Sequence, residues 1–139
     1  MKSKKIIFII FFFIFLNGTS LNSKEEFNFE VTEIEILDEG NFFRGFKRGN
    51  VKTTDESLTI TADTFEYDKI KNILTAEGSV ILKDTIKNYL IESDYITYFK
   101  SNEIVLSKGE TRILFENKYG YKKNIYKNVF YKLGYITNL

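Results

Sequence analysis

The chain contains no cysteine, no histidine, no proline and no tryptophan. Because no disulfide can form, buried apolar surface and backbone hydrogen bonds must hold the fold together. The lack of cysteine and histidine also excludes thiolate or imidazole metal sites and catalysis by cysteine or histidine nucleophiles. A strong charge of one sign is missing too, since the formal net charge is +1. A nearly neutral chain gives no electrostatic argument for a nucleic-acid partner.

Aromatic residues are abundant instead, at 17% of the sequence, and all of them are phenylalanine or tyrosine. This composition favours β structure. A length of 139 residues allows one small domain at most. The sequence shows no constellation of unlike catalytic residues, so we expect a protein that is not an enzyme and that uses no metal and no cofactor.

The N-terminus has the anatomy of a secretory signal peptide. Three lysines precede an uninterrupted apolar run from Ile6 to Leu16, and small or polar residues follow. The run is shorter than the roughly 20 residues of a membrane-spanning helix, and an uncleaved N-terminal anchor is the alternative. We therefore predict a signal peptide over residues 1–23 and an exported domain over residues 24–139.

The stretch over residues 58–82 has the clearest strand pattern of the chain. Apolar and polar residues alternate up to Ala62, and the alternation then changes parity near Asp63, which predicts a bulge or a bend. Residues 68–72 are polar and predict a turn. In the strand after that turn, Gly78 interrupts the apolar positions and predicts a second bend.

This stretch is repeated further along the chain, and the spacing between matching residues is constant. The matching pairs are Ile60 and Ile91, Asp63 and Asp94, Phe65 and Ile96, Tyr67 and Tyr98, Leu74 and Val105, Ala76 and Ser107, and Gly78 and Gly109. A fixed period of strand and turn predicts a stacked β architecture, in which each unit buries its apolar side against its neighbours.

The two ends of the exported part are less regular. Residues 24–31 are mixed and predict a loose lead-in to the first strands, whereas residues 46–49 predict a basic bulge. Residues 116–139 combine lysines with aromatic residues and predict a degenerate further repeat. We interpret these lysines as a solvated strand face that discourages aggregation, with binding to nucleic acid or an anionic membrane as the alternative.

Two residue types recur in the repeat and are candidates for function. Asp63 and Asp94 form a possible acid and base, but we prefer a structural role in which each caps a strand bend. A catalytic site needs unlike residues in unlike roles, and these two are alike. Tyr67 and Tyr98 are interpreted as sheet residues with their hydroxyls at the rim, rather than as a stacking surface for bases or sugars.

The apolar side of the repeats is the remaining candidate site. Its predicted members are Leu58, Ile60, Ala62, Phe65, Leu74, Ala76, Val80, Leu82, Ile91, Ile96, Val105 and Ile113. In a closed sandwich these residues form only a core, whereas between two splayed sheets they form a groove that holds acyl chains. The pattern alone leaves both possibilities open.

One ordered set of residues in the repeat is similar to a known family. The set is Ala62, Asp63, Phe65, Tyr67, Asp68, Asn72, Leu74, Ala76, Gly78 and Val80. Together with its echo in the following repeat, it resembles the OstA-like domain of lipopolysaccharide transport, which occurs in LptA, in LptC and in the N-terminal part of LptD. The resemblance covers roughly Phe29 to Phe115, and the opening of this region is most like the periplasmic domain of LptD.

The resemblance implies an all-β fold, a twisted, V-shaped β-jelly roll of stacked strand repeats that is open at its ends. It implies that the inner face shields the acyl chains of lipopolysaccharide. The implied partners are lipopolysaccharide, other Lpt-type domains that pair edge to edge, and the outer membrane, and the implied location is the periplasm. Membership in LptD would make the chain a fragment. The competing hypothesis is an exported structural β-repeat protein with a closed core.

Overall fold

A computed structural model describes residues 27–117, 120–132 and 135–138 of the chain. The predicted signal peptide, residues 1–23, lies outside the described residues. The described residues contain two short 3₁₀ turns, at Asp38–Gly40 and Lys100–Asn102. The strands are β1 Phe27–Glu30, β2 Glu33–Leu37, β3 Phe42–Phe46, β4 Gly49–Thr53, β5 Leu58–Ala62, β6 Thr64–Asp68, β7 Ile73–Asp84, β8 Tyr89–Phe99, β9 Ile104–Lys108, β10 Thr111–Asn117, β11 Gly120–Tyr126, β12 Val129–Lys132 and β13 Tyr135–Asn138.

All strand pairs are antiparallel and belong to one continuous open sheet. The sheet divides into two half-sheets, because β7 and β8 each bend at their centre and contribute one part to each side. The first half-sheet has the order β2-β3-β6-β7-β8-β9-β12-β13. The second half-sheet has the order β1-β4-β5-β7-β8-β10-β11.

The chain therefore runs as a series of bent passes, each of which crosses from one half-sheet to the other. The bends, which we call the corners, lie at residues 31–32, 47–48, 63, 78–79, 93–94, 109–110 and 127–128. Several corners need left-handed backbone, as at Gly78 with a φ of 83° and Gly109 with a φ of 85°. The corners predicted near Asp63 and Gly78 are confirmed, and the predicted basic bulge is the corner at residues 47–48.

Turns at the far ends of the passes form two rims opposite the corners. The first half-sheet turns at residues 38–41, 69–72 and 100–103, and the second turns at residues 54–57 and 85–88. Two passes bring the chain back to the same rim, which explains the constant period of the repeat. The predicted turn at residues 68–72 is confirmed, with Asn72 in left-handed backbone at a φ of 56°. We call the side where the two rims face each other the mouth.

The interior lies between the two half-sheets. Strand registers place one inward position of every pass beside the next, as in the row Gly45, Phe65, Ala76, Ile96 and Ser107. Burial of each large apolar side chain contributes roughly 1.5–3 kcal/mol. The fold is thus all-β, as predicted, and no helix among the described residues is long and apolar enough to cross a membrane.

One expectation about the start of the domain is wrong. The loose lead-in predicted over residues 24–31 is wrong for residues 27–30, which form β1 and pair with β4, and residues 24–26 lie outside the described residues. Phe27 is only 4% exposed, and its ring packs edge-on against Tyr67 at a centroid distance of 4.9 Å. The polar neighbours of Phe27 hid a strand whose two inward positions are both aromatic.

Candidate functional site

The structure brings all twelve predicted apolar residues together in the interior. Their exposed fractions lie between 0% and 8%, and Leu58 is the most exposed of them. They form one cluster with residues that the prediction missed, namely Phe27, Val51, Tyr67, Tyr98, Val129 and Tyr131. Val51 follows the same alternation as Leu58 and Ile60, so its position in β4 carried the signal. The interior is closed around these side chains in the described structure.

The mouth is closed by aromatic side chains that reach across from one rim to the other. Near the first passes, Phe27 on the second rim contacts Tyr67 and Tyr98 on the first. Near the last passes, Tyr89 on the second rim packs against Tyr131 on the first, with ring centroids 5.4 Å apart. Tyr67 and Tyr98 are therefore buried sheet residues, and the Tyr67 hydroxyl donates to Asn72 Oδ1 at the rim, 3.0 Å away.

The interior also holds a hydroxyl cluster that replaces apolar residues of the preceding repeat. Ser93, Ser107 and Thr111 stand one repeat after Ala62, Ala76 and Val80, and all three are buried. Thr111 Oγ1 donates to Ser107 Oγ over 2.7 Å. Ser107 Oγ in turn accepts the amide of Val129 over 2.9 Å, so the cluster anchors the start of β12.

Asp63 serves the corner, as the structural interpretation predicts, but its carboxylate has a different partner from the one expected. Asp63 Oδ1 accepts the Arg48 guanidinium over 2.7 Å rather than backbone amides, and the Asp63 carbonyl accepts the Arg48 amide. The pair ties the second corner to the third. Asp94 lies at the equivalent corner of β8 and is exposed.

Polar turn residues line the second rim. The hydroxyl of Thr53 and the hydroxyl and amide of Ser57 donate to Asp55 and hold the pKa of its carboxyl at about 2. In the next turn of this rim, Asp84 Oδ1 accepts the amides of residues 86 and 87. Asp84 Oδ2 accepts the Tyr131 hydroxyl over 2.6 Å, which links the two rims.

A cavity of about 160 Å³ opens at the mouth between the rims. It is bounded below by the interior residues Leu58 and Val105 and at the sides by the rings of Tyr98 and Tyr131. Charged side chains of both rims surround its opening. Among the described residues, no group of three or more acidic, histidine or cysteine side chains is arranged to hold a metal ion.

The structure describes the side chains of two lysines of the last segment. Lys123 and Lys127 are exposed, on and just after the edge strand β11, in keeping with the interpretation of a solvated face. The side chains of Lys118, Lys122 and Lys132 lie outside the described residues. The backbone agrees with a further repeat in this segment, since β11, β12 and β13 continue the stack.

Comparisons with known proteins place the fold. No protein-family model matches the sequence, and no curated protein matches it. A solved structure that is similar is LptH from Pseudomonas aeruginosa, described as the LptA-homologous periplasmic component of the lipopolysaccharide transport device. The TM-score is 0.67 at 14% identity, over 81% of this chain and 80% of that chain. The fold of this chain is the LptA-like β-jelly roll.

Proposed function

We propose that this chain is a periplasmic OstA-like domain that carries lipopolysaccharide towards the outer membrane and shields its acyl chains between the two half-sheets. One observation carries the proposal. One apolar cluster of buried side chains, interrupted by the hydroxyls of Ser93, Ser107 and Thr111, lies between the half-sheets of a fold shared with a transport component. The half-sheets are joined at the corners, and in the described part of the chain their rims meet through side chains at the mouth. Separating the rims would expose that interior. Each methylene buried there contributes about 0.8 kcal/mol.

The open ends of the stack support joining to other domains of the same kind. At the first end, Ile34 and Ile36 continue the inward rows of the first half-sheet on the edge strand β2, and they are 44% and 61% exposed. An edge strand with an uncovered apolar side is a template for strand addition. We propose that another Lpt-type domain pairs here, which would extend the apolar interior from one protein to the next.

Location and identity within the family follow the same proposal. Residues 1–23 act as a signal peptide and residues 24–139 form the exported domain, so the protein resides in the periplasm near the outer membrane. The likeness to the LptD periplasmic domain stays a sequence-based proposal. The chain is proposed not to be an enzyme, because its recurring acidic residues serve corners and turns rather than meeting in one site.

Photocrosslinking at two neighbouring positions of β5 tests the proposal. Leu58 faces the interior beside the mouth, and Thr59 faces outward on the same strand. A benzophenone amino acid at position 58 should crosslink to lipopolysaccharide in living cells, and the same group at position 59 should not. Equal crosslinking at both positions, or crosslinking at neither in a folded protein, would refute the acyl-chain site.

A specific observation favours the second candidate, an exported structural repeat protein with a closed core. Twelve predicted groove residues are at most 8% exposed, as in an ordinary sandwich core. This candidate predicts that the interior never opens and that no lipid accompanies the purified protein. The same pair of crosslinking variants separates the two functions, because a permanently closed core gives no lipid adduct at position 58.

A further inference from the structure

We propose that the cavity at the mouth is the port through which an acyl chain enters the interior, and that Lys87 and Lys100 hold the phosphate of the headgroup outside it. This inference rests on the proposed function and assigns its point of entry. The occupant is a single amphiphile with an acyl chain and a phosphorylated headgroup.

The port is a gap in the aromatic closure of the mouth. On one side Phe27 and Tyr98 close the rims, with ring centroids 6.0 Å apart, and on the other side Tyr89 and Tyr131 do so. Between Tyr98 and Tyr131, the inward position of the first half-sheet is Val105, which pairs with both tyrosines. A valine is too short to reach the opposite rim, so the closure is interrupted at this pass.

The floor of the cavity leads directly to the interior. Leu58 and Val105 line it, and both belong to the buried cluster. Leu58 lies on the second half-sheet and Val105 on the first. The gap therefore lies on the line along which the two rims meet at the mouth, which we call the seam. An acyl chain that entered here would pass the polar side chains of the rims, including the hydrogen bond from Tyr131 to Asp84, and would then meet the apolar floor.

The opening of the cavity carries one lysine on each rim. Lys87 belongs to the turn after β7 on the second rim, and Lys100 begins the 3₁₀ turn after β8 on the first. Neither lysine takes part in an ion pair of the described residues. Two ammonium groups from opposite sides suit a phosphate, which accepts several hydrogen bonds from different directions.

Three carboxylates also line the cavity, and two of them are already engaged. Asp55 accepts the hydroxyl and amide of Ser57, and Asp84 accepts two turn amides and the Tyr131 hydroxyl. Glu103 adds an acceptor that suits a hydroxyl of a sugar headgroup. The lysines therefore supply charged donors at the opening, and Asp55 and Asp84 hold its turns in shape.

Binding of two detergent-like probes to the full exported chain tests the headgroup assignment. Dodecyl phosphate and dodecyl maltoside share one chain, but only the first carries a phosphate. The variant Lys87→Ser/Lys100→Ser should bind dodecyl phosphate about tenfold more weakly and dodecyl maltoside as the wild type does. The control Lys83→Ser/Lys123→Ser removes two exposed lysines of the outer face of the second half-sheet and should change neither affinity.

Filling the gap tests the route. Val105→Phe should slow the association of both probes several-fold, because each chain must pass this position. Ile104→Phe places the same ring on the outer face of β9 and should leave both rates unchanged. If Val105→Phe does not fold, the lysine pair still decides the headgroup contact.

The outcomes separate this inference from the proposed function. Suppose that the wild type binds both probes and that Lys87→Ser/Lys100→Ser keeps its full affinity for dodecyl phosphate. The assignment of the phosphate to these lysines is then wrong, whereas acyl-chain binding stands. Equal weakening for both probes also overturns the assignment of the phosphate to the lysines. If the wild type binds neither probe, the proposed function and the port fall together.

Discussion

At the scale of single residues, the corners at Asp63 and Gly78 pack closely against each other. Gly78 adopts left-handed backbone, and a Cβ placed on it would lie 2.8 Å from the Cβ of Asp63. Gly109 occupies the matching position of the next repeat with nearly the same φ, but a Cβ there meets nothing within 4 Å. The two glycines therefore separate the cost of the backbone conformation from the cost of the contact.

Alanine substitutions at these glycines should differ in a predictable way. Gly109→Ala should lower the free energy of unfolding by about 1–2 kcal/mol, the cost of left-handed backbone with a Cβ. Gly78→Ala should cost more, since Asp63 must also move. Urea denaturation of both variants measures the difference. Equal losses would show that the contact with Asp63 contributes nothing.

The turn at residues 54–57 makes stability depend on pH. Hydrogen bonds from Thr53 and Ser57 lower the pKa of Asp55 to about 2 from an ordinary 3.8. A carboxyl whose pKa is lower in the folded state stabilises the fold above its unfolded pKa, and this stabilisation is lost as the pH falls towards 2. Asp55→Asn should therefore make the free energy of unfolding less sensitive to pH between about 4 and 2. An unchanged pH profile would contradict this role of Asp55.

The residue scale is also where prediction from sequence was least complete. Alternation identified the twelve interior positions, because a period of two places them on one face. It did not reveal the cluster of Ser93, Ser107 and Thr111, whose burial depends on contacts between different passes of the chain. The sequence also predicted backbone amides as the partners of Asp63. It missed Arg48, because the approach of Arg48 depends on how two corners stack.

At the scale of elements, the bent pass is the unit of this protein. The parity change at Asp63 and the glycine at position 78 predicted the bends correctly, because each disturbs a period-two pattern. The pattern did not show that every pass bends, and β8 bends with no glycine at residues 93–94. The first pass was missed in part, since short strands at an edge carry few positions for alternation to reveal.

The edge strand β2 gives a prediction at this scale. Ile34→Lys/Ile36→Lys puts charges on the uncovered inward side of the edge, so association with an LptA-type domain should fall at least tenfold. The fold should survive, because the two side chains are 44% and 61% exposed. Analytical ultracentrifugation measures the association. The control Ile125→Lys changes an isoleucine that is also 61% exposed on β11, and it should have no effect. Full association of the β2 variant would exclude this edge as the joining surface.

At the scale of the whole molecule, the interior decides between a transport protein and a structural repeat. The sequence predicted the stack, the all-β class and the apolar side, because these follow from period and composition. Whether the two half-sheets part is a property of the seam at the mouth, where few aromatic contacts and the hydrogen bond from Tyr131 to Asp84 hold the rims together. No local pattern in the sequence encodes the strength of that seam.

Native mass spectrometry of the chain purified from its native cells tests directly whether the interior carries lipopolysaccharide. A transport domain should yield a fraction of molecules heavier by the mass of lipopolysaccharide. This fraction should disappear after extraction with detergent, while circular dichroism shows that the strands stay folded. A chain that carries only its own mass, even when isolated from cells rich in lipopolysaccharide, would exclude transport of the lipid and identify the interior as a closed core.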